Sequence, residues 1–221
     1  MLPRFLYLHG FASGPRSTKA VAFADYFAQR GAELDRLDLR VPSLEHLRLS
    51  AMLDTVQRAI GGPGDRAVVI GSSLGGLTAA RVAELDPRVG ALVLLAPAFR
   101  LAERWRELPG WDDWQRTGWL EIHDYATQQP ARVDFGFYED VLRIDDALPD
   151  VRVPTLILHG VHDDVVPIDR TRAFAQGKPH VKLLELDDGH ELVESLPQLL
   201  DEAERFLAPW IGHRPLAPRP R

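Results

Sequence analysis

The residue of this sequence best suited to nucleophilic chemistry is the second serine of "GSSLGG" (residues 71–76). Gly71, Ser73 and Gly75 match the pattern G-x-S-x-G, which joins a buried strand to a helix through a tight turn and exposes the serine hydroxyl above the sheet. The glycines are needed because side chains two residues before and after the serine would collide with the neighbouring strand and helix. The pattern predicts that Ser73 is a nucleophile.

A serine hydroxyl is a poor nucleophile unless a base lies within hydrogen-bonding reach. We expect His190, in "LELDDGHEL", to follow the sixth strand, open the last helix and meet Ser73 across the strand ends. His180 and His213 lie at a helix–strand connection and in the C-terminal tail, so they are poorer candidates. The base needs a carboxylate to fix its tautomer. The residues alone leave four candidates open: Asp163 and Asp164 in "LHGVHDDVVP", and Asp187 and Asp188 beside the histidine.

The same segment raises the alternative of a metal site, because His162 precedes the two aspartates. Successive residues of a loop point in different directions, and the sequence contains no second cluster of ligands. We therefore predict neither a metal nor a cofactor.

Acyl transfer also needs two backbone N–H groups that bind the developing oxyanion. One is expected from Leu74, which follows the nucleophile. The other is expected from Phe11 in "LHGFASGP", where Gly10 allows a tight turn after the first strand. His9 is expected to brace this loop by hydrogen bonding, and His159, in a second "LHG", is expected to have a structural role.

These residues require a scaffold in which several strands end at one edge. Apolar runs of strand length alternate with helical patterns, which predicts a doubly wound α/β fold with a mainly parallel six-stranded sheet and helices on both faces. Ser43 is predicted to cap the second helix. The predicted strands are residues 4–10, 33–39, 66–71, 89–97, 154–160 and 181–186, and the helices are 18–31, 44–60, 74–85, a segment near 170–176, and 191–210.

We predict one domain over residues 1–211, with an insertion at about 97–150 and a flexible, basic, proline-rich tail at 212–221. The insertion holds nine of the 18 aromatic residues, and "GWLEIHDY" and "ARVDFGF" alternate in polarity around a polar turn, which predicts a β-hairpin. These aromatic side chains either pack on the sheet or form a lid with apolar pocket walls, and the two roles are compatible. Trp119 and Phe135 are the predicted pocket residues.

Composition excludes several classes of function. The net charge of −6 gives no support to nucleic acid or an anionic membrane as a partner. No run approaches 18 apolar residues, so we expect no membrane span. Proline and arginine interrupt the apolar start of the sequence, which is expected to be a strand and not a signal peptide. The chain has no cysteine, so a disulfide framework is excluded and a cytoplasmic location is expected. The oligomeric state is left open.

The motifs "YLHGFASGPRSTKA", "GSSLGG" and "HGVHDDVVP" resemble those of the α/β-hydrolase superfamily, and most of all the small YqiA-like esterases and acyl-protein thioesterases. The resemblance covers nearly the whole chain, with the usual first antiparallel strands missing. It implies Ser73 as nucleophile, His190 as base, and Phe11 and Leu74 as oxyanion donors. The acid of this family stands four residues after the histidine of "HGxxDxxVP", which selects Asp163.

The expected function is cofactor-free hydrolysis of a small-molecule carboxylic ester or thioester through an acyl-enzyme. Two alternatives are a hydrolase of another acyl bond, such as an amide or a lactone, and a catalytically silent binding protein with the same fold. Silent proteins of this kind usually lose a member of the triad, and none is missing from this sequence.

Overall fold

The computed structural model describes residues 3–211, so the predicted tail at 212–221 lies outside the described residues. Sixteen elements are described. In chain order they are β1 (Arg4–Leu8), α1 (Thr18–Ala28), β2 (Leu34–Leu37), α2 (Leu49–Ile60), β3 (Ala67–Ser72), α3 (Leu74–Leu85), β4 (Val89–Leu95), α4 (Leu101–Arg106), α5 (Trp111–Thr117), β5 (Trp119–Asp124), β6 (Gln129–Asp134), α6 (Phe135–Ile144), β7 (Thr155–Gly160), α7 (Ile168–Ala175), β8 (Val181–Leu186) and α8 (Leu196–Ile211).

Six strands form the central sheet in the order β2-β1-β3-β4-β7-β8, and every neighbouring pair is parallel. The predicted six-stranded α/β architecture is therefore confirmed. Parallel strands place their carboxyl ends at one edge, so the loops after β1, β3, β7 and β8 leave the sheet on the same side. These four loops carry the predicted catalytic residues and oxyanion donors.

The two faces of the sheet are covered by different helices. Alternate side chains of β1 show the division, since Leu6 and Leu8 pack in one buried cluster while Phe5 and Tyr7 pack in the other. The first cluster is completed by side chains of α2, α3 and the insertion, and the second by side chains of α1 and α8. Helices thus shield both faces from water, as the continuous apolar strands require.

The insertion contains helices α4, α5 and α6 and the two-stranded sheet of β5 and β6. The predicted hairpin is confirmed, with Trp119 opposite Asp134 and Asp124 opposite Gln129. No helix among residues 3–211 has the length and apolar content that a membrane span requires.

The prediction that Ser43 caps the second helix was wrong. Ser43 Oγ accepts the N–H of His46 within a turn, and the helix begins six residues later, at Leu49. Tertiary contacts explain the difference: Glu45 accepts the N–H of Asp134 through its carbonyl, and Arg48 donates two hydrogen bonds to the Asp134 carboxylate, at 2.7 and 3.1 Å. These contacts hold the segment before Leu49 in a non-helical form.

Candidate active site

Ser73 occupies the single residue between β3 and α3 and has a strained backbone, with φ 53° and ψ −116°. Its N–H donates to the carbonyl of Leu95 (2.9 Å), and its own carbonyl accepts the N–H groups of Ala98 (3.0 Å) and Leu77 (3.1 Å). These bonds fix the turn on both sides. The strain and the fixed geometry present the Ser73 side chain at the carboxyl edge of the sheet.

The glycines of this turn are required by close packing. A Cβ atom on Gly75 would lie 2.7 Å from the carbonyl oxygen of His9 and closer still to that of Leu8, while one on Gly71 would lie 2.8 Å from the backbone nitrogen of Gly76. Both positions therefore exclude any side chain. The spacing of the glycines in the sequence follows from the approach of β1 and α3 to the serine turn.

Ser73, His190 and Asp163 form a continuous hydrogen-bonded chain. The Ser73 Oγ atom lies 3.1 Å from His190 Nε2, and His190 Nδ1 lies 2.7 Å from Asp163 Oδ2. An ionised carboxylate can only accept, so Nδ1 carries the hydrogen and Nε2 presents its lone pair to the serine hydroxyl. This tautomer is the one that a general base for Ser73 requires. The catalytic role of the three residues remains a prediction.

The carboxylate of Asp163 is fully buried and receives several donors. Its Oδ1 atom accepts the N–H groups of Val165 (3.0 Å) and Val166 (2.7 Å), and its Oδ2 atom lies 3.1 Å from Nε2 of His159. Burial alone would favour the neutral acid, but the hydrogen bonds from His159, His190 and Val166 outweigh it and hold the pKa of Asp163 well below its usual value. Asp163 is therefore an ionised partner for His190.

The three rival aspartates are engaged elsewhere. The Asp164 side chain is exposed, and the backbone carbonyl of this residue accepts a hydrogen bond from Arg104. Asp187 is exposed and pairs with His162 at 2.8 Å. Asp188 shapes the histidine loop, accepting the N–H groups of Gly189 and Ser195. Among the four candidates, Asp163 is the one whose side chain is within hydrogen-bonding distance of His190.

His190 lies in the loop between β8 and α8, and the expectation that it opens the last helix was wrong. The helix begins at Leu196, because the Asp188 side chain binds the Ser195 N–H and bridges a turn before it. The loop is anchored from the other side by Lys19, whose Nζ donates to the carbonyl oxygen of Glu191 at 2.6 Å. Sequence reasoning missed Lys19, since nothing in the pattern of α1 indicates a partner 172 residues away.

The loop after β1 touches the serine. A Cβ atom on Gly10 would lie 3.3 Å from Ser73 Cβ and 3.9 Å from its Oγ. Within residues 3–211, the N–H groups of Phe11 and Leu74 donate no hydrogen bond to the protein, which leaves both free for a substrate oxygen. Their role as oxyanion donors remains a prediction that this arrangement supports.

His9 braces the loop as predicted. Its Nδ1 donates to the carbonyl of Gly10 and its Nε2 accepts the N–H of Leu39, each at 2.9 Å. Burial lowers the pKa of His9, which keeps the ring neutral and suits it to donate at one nitrogen and accept at the other. His159 is fully buried in hydrogen bonds with Thr171 and Val166, consistent with its predicted structural role.

The two predicted pocket residues have other contacts. Trp119 lies under the guanidinium of Arg132, 4.0 Å from the ring centre, and near His46, while Phe135 packs against Trp111 and other rings of the insertion. Among the described residues, neither side chain forms a hydrogen bond or ring contact with Ser73, His190 or Asp163. They are not part of the hydrogen-bonded chain of Ser73, His190 and Asp163, and their pocket role remains untested.

Different aromatic residues of the insertion reach the loop after β1. The ring of Phe11 stacks on Phe137, with ring centres 6.0 Å apart and planes 10° apart, and meets the edge of Trp105 at 5.9 Å. The tip of the hairpin adds a backbone bond, from the N–H of Tyr125 to the carbonyl of Ala12 (2.9 Å). The concentration of aromatic residues in the sequence indicated that the insertion lies near the site. It did not indicate which of its rings contact the loop after β1.

In the part of the chain that the structure describes, no three histidine, aspartate or glutamate side chains are grouped as metal ligands would be. Of the residues considered above, His162 pairs with Asp187, and Asp163 accepts from His190.

Comparisons with known proteins agree with this architecture. The sequence profile of an uncharacterised protein family, UPF0227, matches residues 4–207. The 2,6-dihydropseudooxynicotine hydrolase of Paenarthrobacter nicotinovorans is 27% identical over 155 residues, which make up 66% of this chain and 38% of that protein. The chain therefore spans less than two fifths of the length of this curated relative.

Two solved structures illustrate the fold. Alpha/beta hydrolase domain-containing protein 10 from mouse is 21% identical, with a TM-score of 0.78 and coverage of 94% of this chain and 90% of that one. Est1E from Butyrivibrio proteoclasticus, solved with ferulic acid bound, is 22% identical, with a TM-score of 0.78 and coverage of 95% and 89%. These similarities identify the α/β-hydrolase fold.

Proposed function

This chain belongs to the UPF0227 family and has the α/β-hydrolase fold, and we propose that it is a serine hydrolase that cleaves small-molecule carboxylic esters or thioesters. The observation that carries the proposal is the hydrogen-bonded chain from Ser73 Oγ through His190 to the buried Asp163 carboxylate. In the described part of the chain, the nearby N–H groups of Phe11 and Leu74 donate to no protein atom. A nucleophile, a base with the correct tautomer and an oxyanion site together meet the needs of acyl transfer.

In the first half of the proposed reaction, Ser73 Oγ bonds to the acyl carbon while His190 Nε2 takes the hydroxyl proton. The negative charge on the carbonyl oxygen is stabilised by the N–H groups of Phe11 and Leu74. His190 then gives the proton to the leaving oxygen or sulfur, and the ester or thioester bond breaks. Asp163 stays ionised and stabilises the imidazolium.

In the second half, a water molecule loses a proton to His190 and attacks the acyl-enzyme. The Ser73–acyl bond breaks, the proton returns to Ser73 and the carboxylic acid leaves. These steps use no metal or cofactor. Two relatives support this class of reaction: one is named a hydrolase, and Est1E holds ferulic acid, a carboxylic acid. We also propose a cytoplasmic location, since a chain without cysteine gains nothing from an oxidising compartment.

A fluorophosphonate probe tests the proposal, because it reacts with an activated serine. We expect mass spectrometry to find the adduct on Ser73, and Ser73→Ala to abolish both labelling and turnover. Ser72→Ala is the matched control and should keep most activity, since Ser72 ends β3 and is buried. An adduct on Ser72, or none on an active preparation, would contradict the assignment. A panel of p-nitrophenyl esters and acyl-thioesters of graded chain length then identifies the preferred bond.

A further inference from the structure

A second histidine reaches the carboxylate oxygen that holds His190. Nε2 of His159 lies 3.1 Å from Asp163 Oδ2, the atom that accepts the His190 Nδ1 hydrogen at 2.7 Å. The side chains of His159 and Asp163 are both fully shielded from solvent. His159 is the next-to-last residue of β7, so the strand itself holds the ring below the acid loop.

The neighbours of His159 determine which of its nitrogens carries hydrogen. Nε2 faces two groups that can only accept, the Asp163 carboxylate and the carbonyl of Val166 (3.0 Å), so Nε2 must be protonated. Nδ1 lies 2.9 Å from Oγ1 of Thr171 on α7, and the threonine hydroxyl donates to it when the ring is neutral. Thr171 is also fully buried.

We propose that His159 is a positioning residue that, with Thr171 behind it, extends the hydrogen-bonded chain of Ser73, His190 and Asp163 into the core. It does so by sharing the Asp163 Oδ2 atom with His190. A carboxylate oxygen that accepts two hydrogen bonds accepts each less strongly, and a donor on either side of it restricts its rotation. His159 therefore sets how firmly Asp163 orients His190 and how strongly it favours the imidazolium. The inference rests on the proposed function of Ser73 and His190.

The hydrogen bonds and ion pairs of the other charged groups around the Ser73, His190 and Asp163 side chains do not involve the His159 ring. Arg104 of α4 donates to the backbone carbonyls of Asp164 and Val165, and Lys19 of α1 pairs with Glu191. Glu185 of β8 pairs with Arg172. The remaining titratable side chains in the loops that carry Asp163 and His190 are those of His162, Asp164, Asp187, Asp188 and Glu194. All of them remain in the variants below, so a change between those variants reports on His159.

The test compares His159→Leu, which removes the donor, with His159→Gln, whose amide nitrogen can occupy the position of Nε2 and donate to Asp163. For His159→Leu we expect kcat to fall about tenfold with little change in KM, through loss of orientation. We also expect the acid limb of the kcat/KM profile to move about half a pH unit upwards, because Asp163 then binds the His190 imidazolium more tightly. His159→Gln should restore much of the rate and return the acid limb towards its original position.

Nuclear magnetic resonance of the 15N-histidine-labelled protein follows the tautomer and titration of His190 without any substrate. It should show the same upward movement in His159→Leu and its reversal in His159→Gln. Thr171→Val changes the shape of the side chain little, and it should move the His190 titration in the same direction by a smaller amount, because it weakens His159 as a donor. It provides the test if His159→Leu fails to fold.

The inference is overturned if folded His159→Leu and His159→Gln have the same kcat and the same His190 titration, or if Thr171→Val titrates as the original protein does. Failure of the proposed function looks different. In that case the original protein hydrolyses none of the esters or thioesters and is not labelled on Ser73, while the resonance experiment still reports whether His159 acts on His190.

Discussion

The exchange of Asp163 for asparagine tests the central interaction of the site with the least change in shape. One oxygen of the Asp163 carboxylate accepts the N–H groups of Val165 and Val166. The other accepts from His190 and lies 3.1 Å from Nε2 of His159, whose hydrogen is shared with the Val166 carbonyl. If the amide oxygen keeps the two backbone donors, the amide nitrogen points its hydrogens at the Nδ1 hydrogen of His190. The ring must then adopt the other tautomer, with a hydrogen on Nε2 facing Ser73.

That tautomer cannot accept the serine proton, so the loss should fall on kcat. By analogy with other triads it should reach about 10⁴-fold. At about 1.36 kcal/mol for each factor of ten, this corresponds to roughly 5 kcal/mol of transition-state stabilisation. The backbone donors keep an acceptor, but the amide nitrogen would oppose the buried N–H of His159, so the melting temperature should also fall. Labelling of Ser73 by the fluorophosphonate should still occur, but far more slowly.

Asp164→Asn is the matched control, since it makes the same chemical change one residue away. The Asp164 side chain is exposed, and the bond that Arg104 makes to this residue goes to its backbone carbonyl. We expect a loss of less than about tenfold, as for a small change in orientation. The assay is the pH-independent kcat of both variants on the best ester of the panel. A crippled Asp164 variant beside an Asp163 variant with normal turnover would refute the assignment.

Three further predictions concern the groups that hold the site together. Gly75→Ala should abolish labelling and lower the melting temperature, because its Cβ would overlap the carbonyls at the end of β1. Gly64→Ala is the control and should behave normally, since Gly64 has open space around it. Equal behaviour of the two variants would contradict the packing argument. Lys19→Met should lower kcat about tenfold, because it releases the loop that carries His190. Lys182→Met is the control and should not lower kcat, since it loses only an exposed ion pair with Glu202. Equal rates for the two variants would show that Lys19 has no positioning role. Phe137→Leu should lower kcat on short and long esters alike, because it removes the ring stacked on Phe11; an effect confined to long acyl groups would instead mean that the ring lines the pocket.

The sequence predicted those parts of the site that depend on local geometry. The glycines around Ser73 indicated the turn because close packing of backbone admits no other residue, and the apolar runs indicated the strands because both faces of the sheet are covered. The choice between Asp163 and Asp164 did not follow from the residues themselves. It came from the family pattern, and the structure supplies the reason in the backbone N–H groups that hold the buried carboxylate in place.

The parts that were mispredicted depend on distant contacts. The start of α2 moved to Leu49 because residues of β6 and its end bind the preceding segment, although leucines recur there at helical spacing. The link between Lys19 and the His190 loop joins residues far apart in the chain, and no periodicity reveals such a pair.

The contacts of the insertion bear on whether it acts as a mobile lid or as a fixed wall. It is attached to the loop after β1 by the Phe137 ring, which stacks on Phe11, and by the Tyr125 N–H, which donates to the carbonyl of Ala12. It is attached to the acid loop by Arg104, which donates to the carbonyls of Asp164 and Val165, both at 3.1 Å. Movement of the insertion away from the sheet would break contacts to both loops at once. Those loops carry Phe11, the proposed oxyanion donor, and Asp163, the partner of His190, so opening would disturb both groups of the proposed site. The attachments therefore favour an insertion that stays in place and supports both loops.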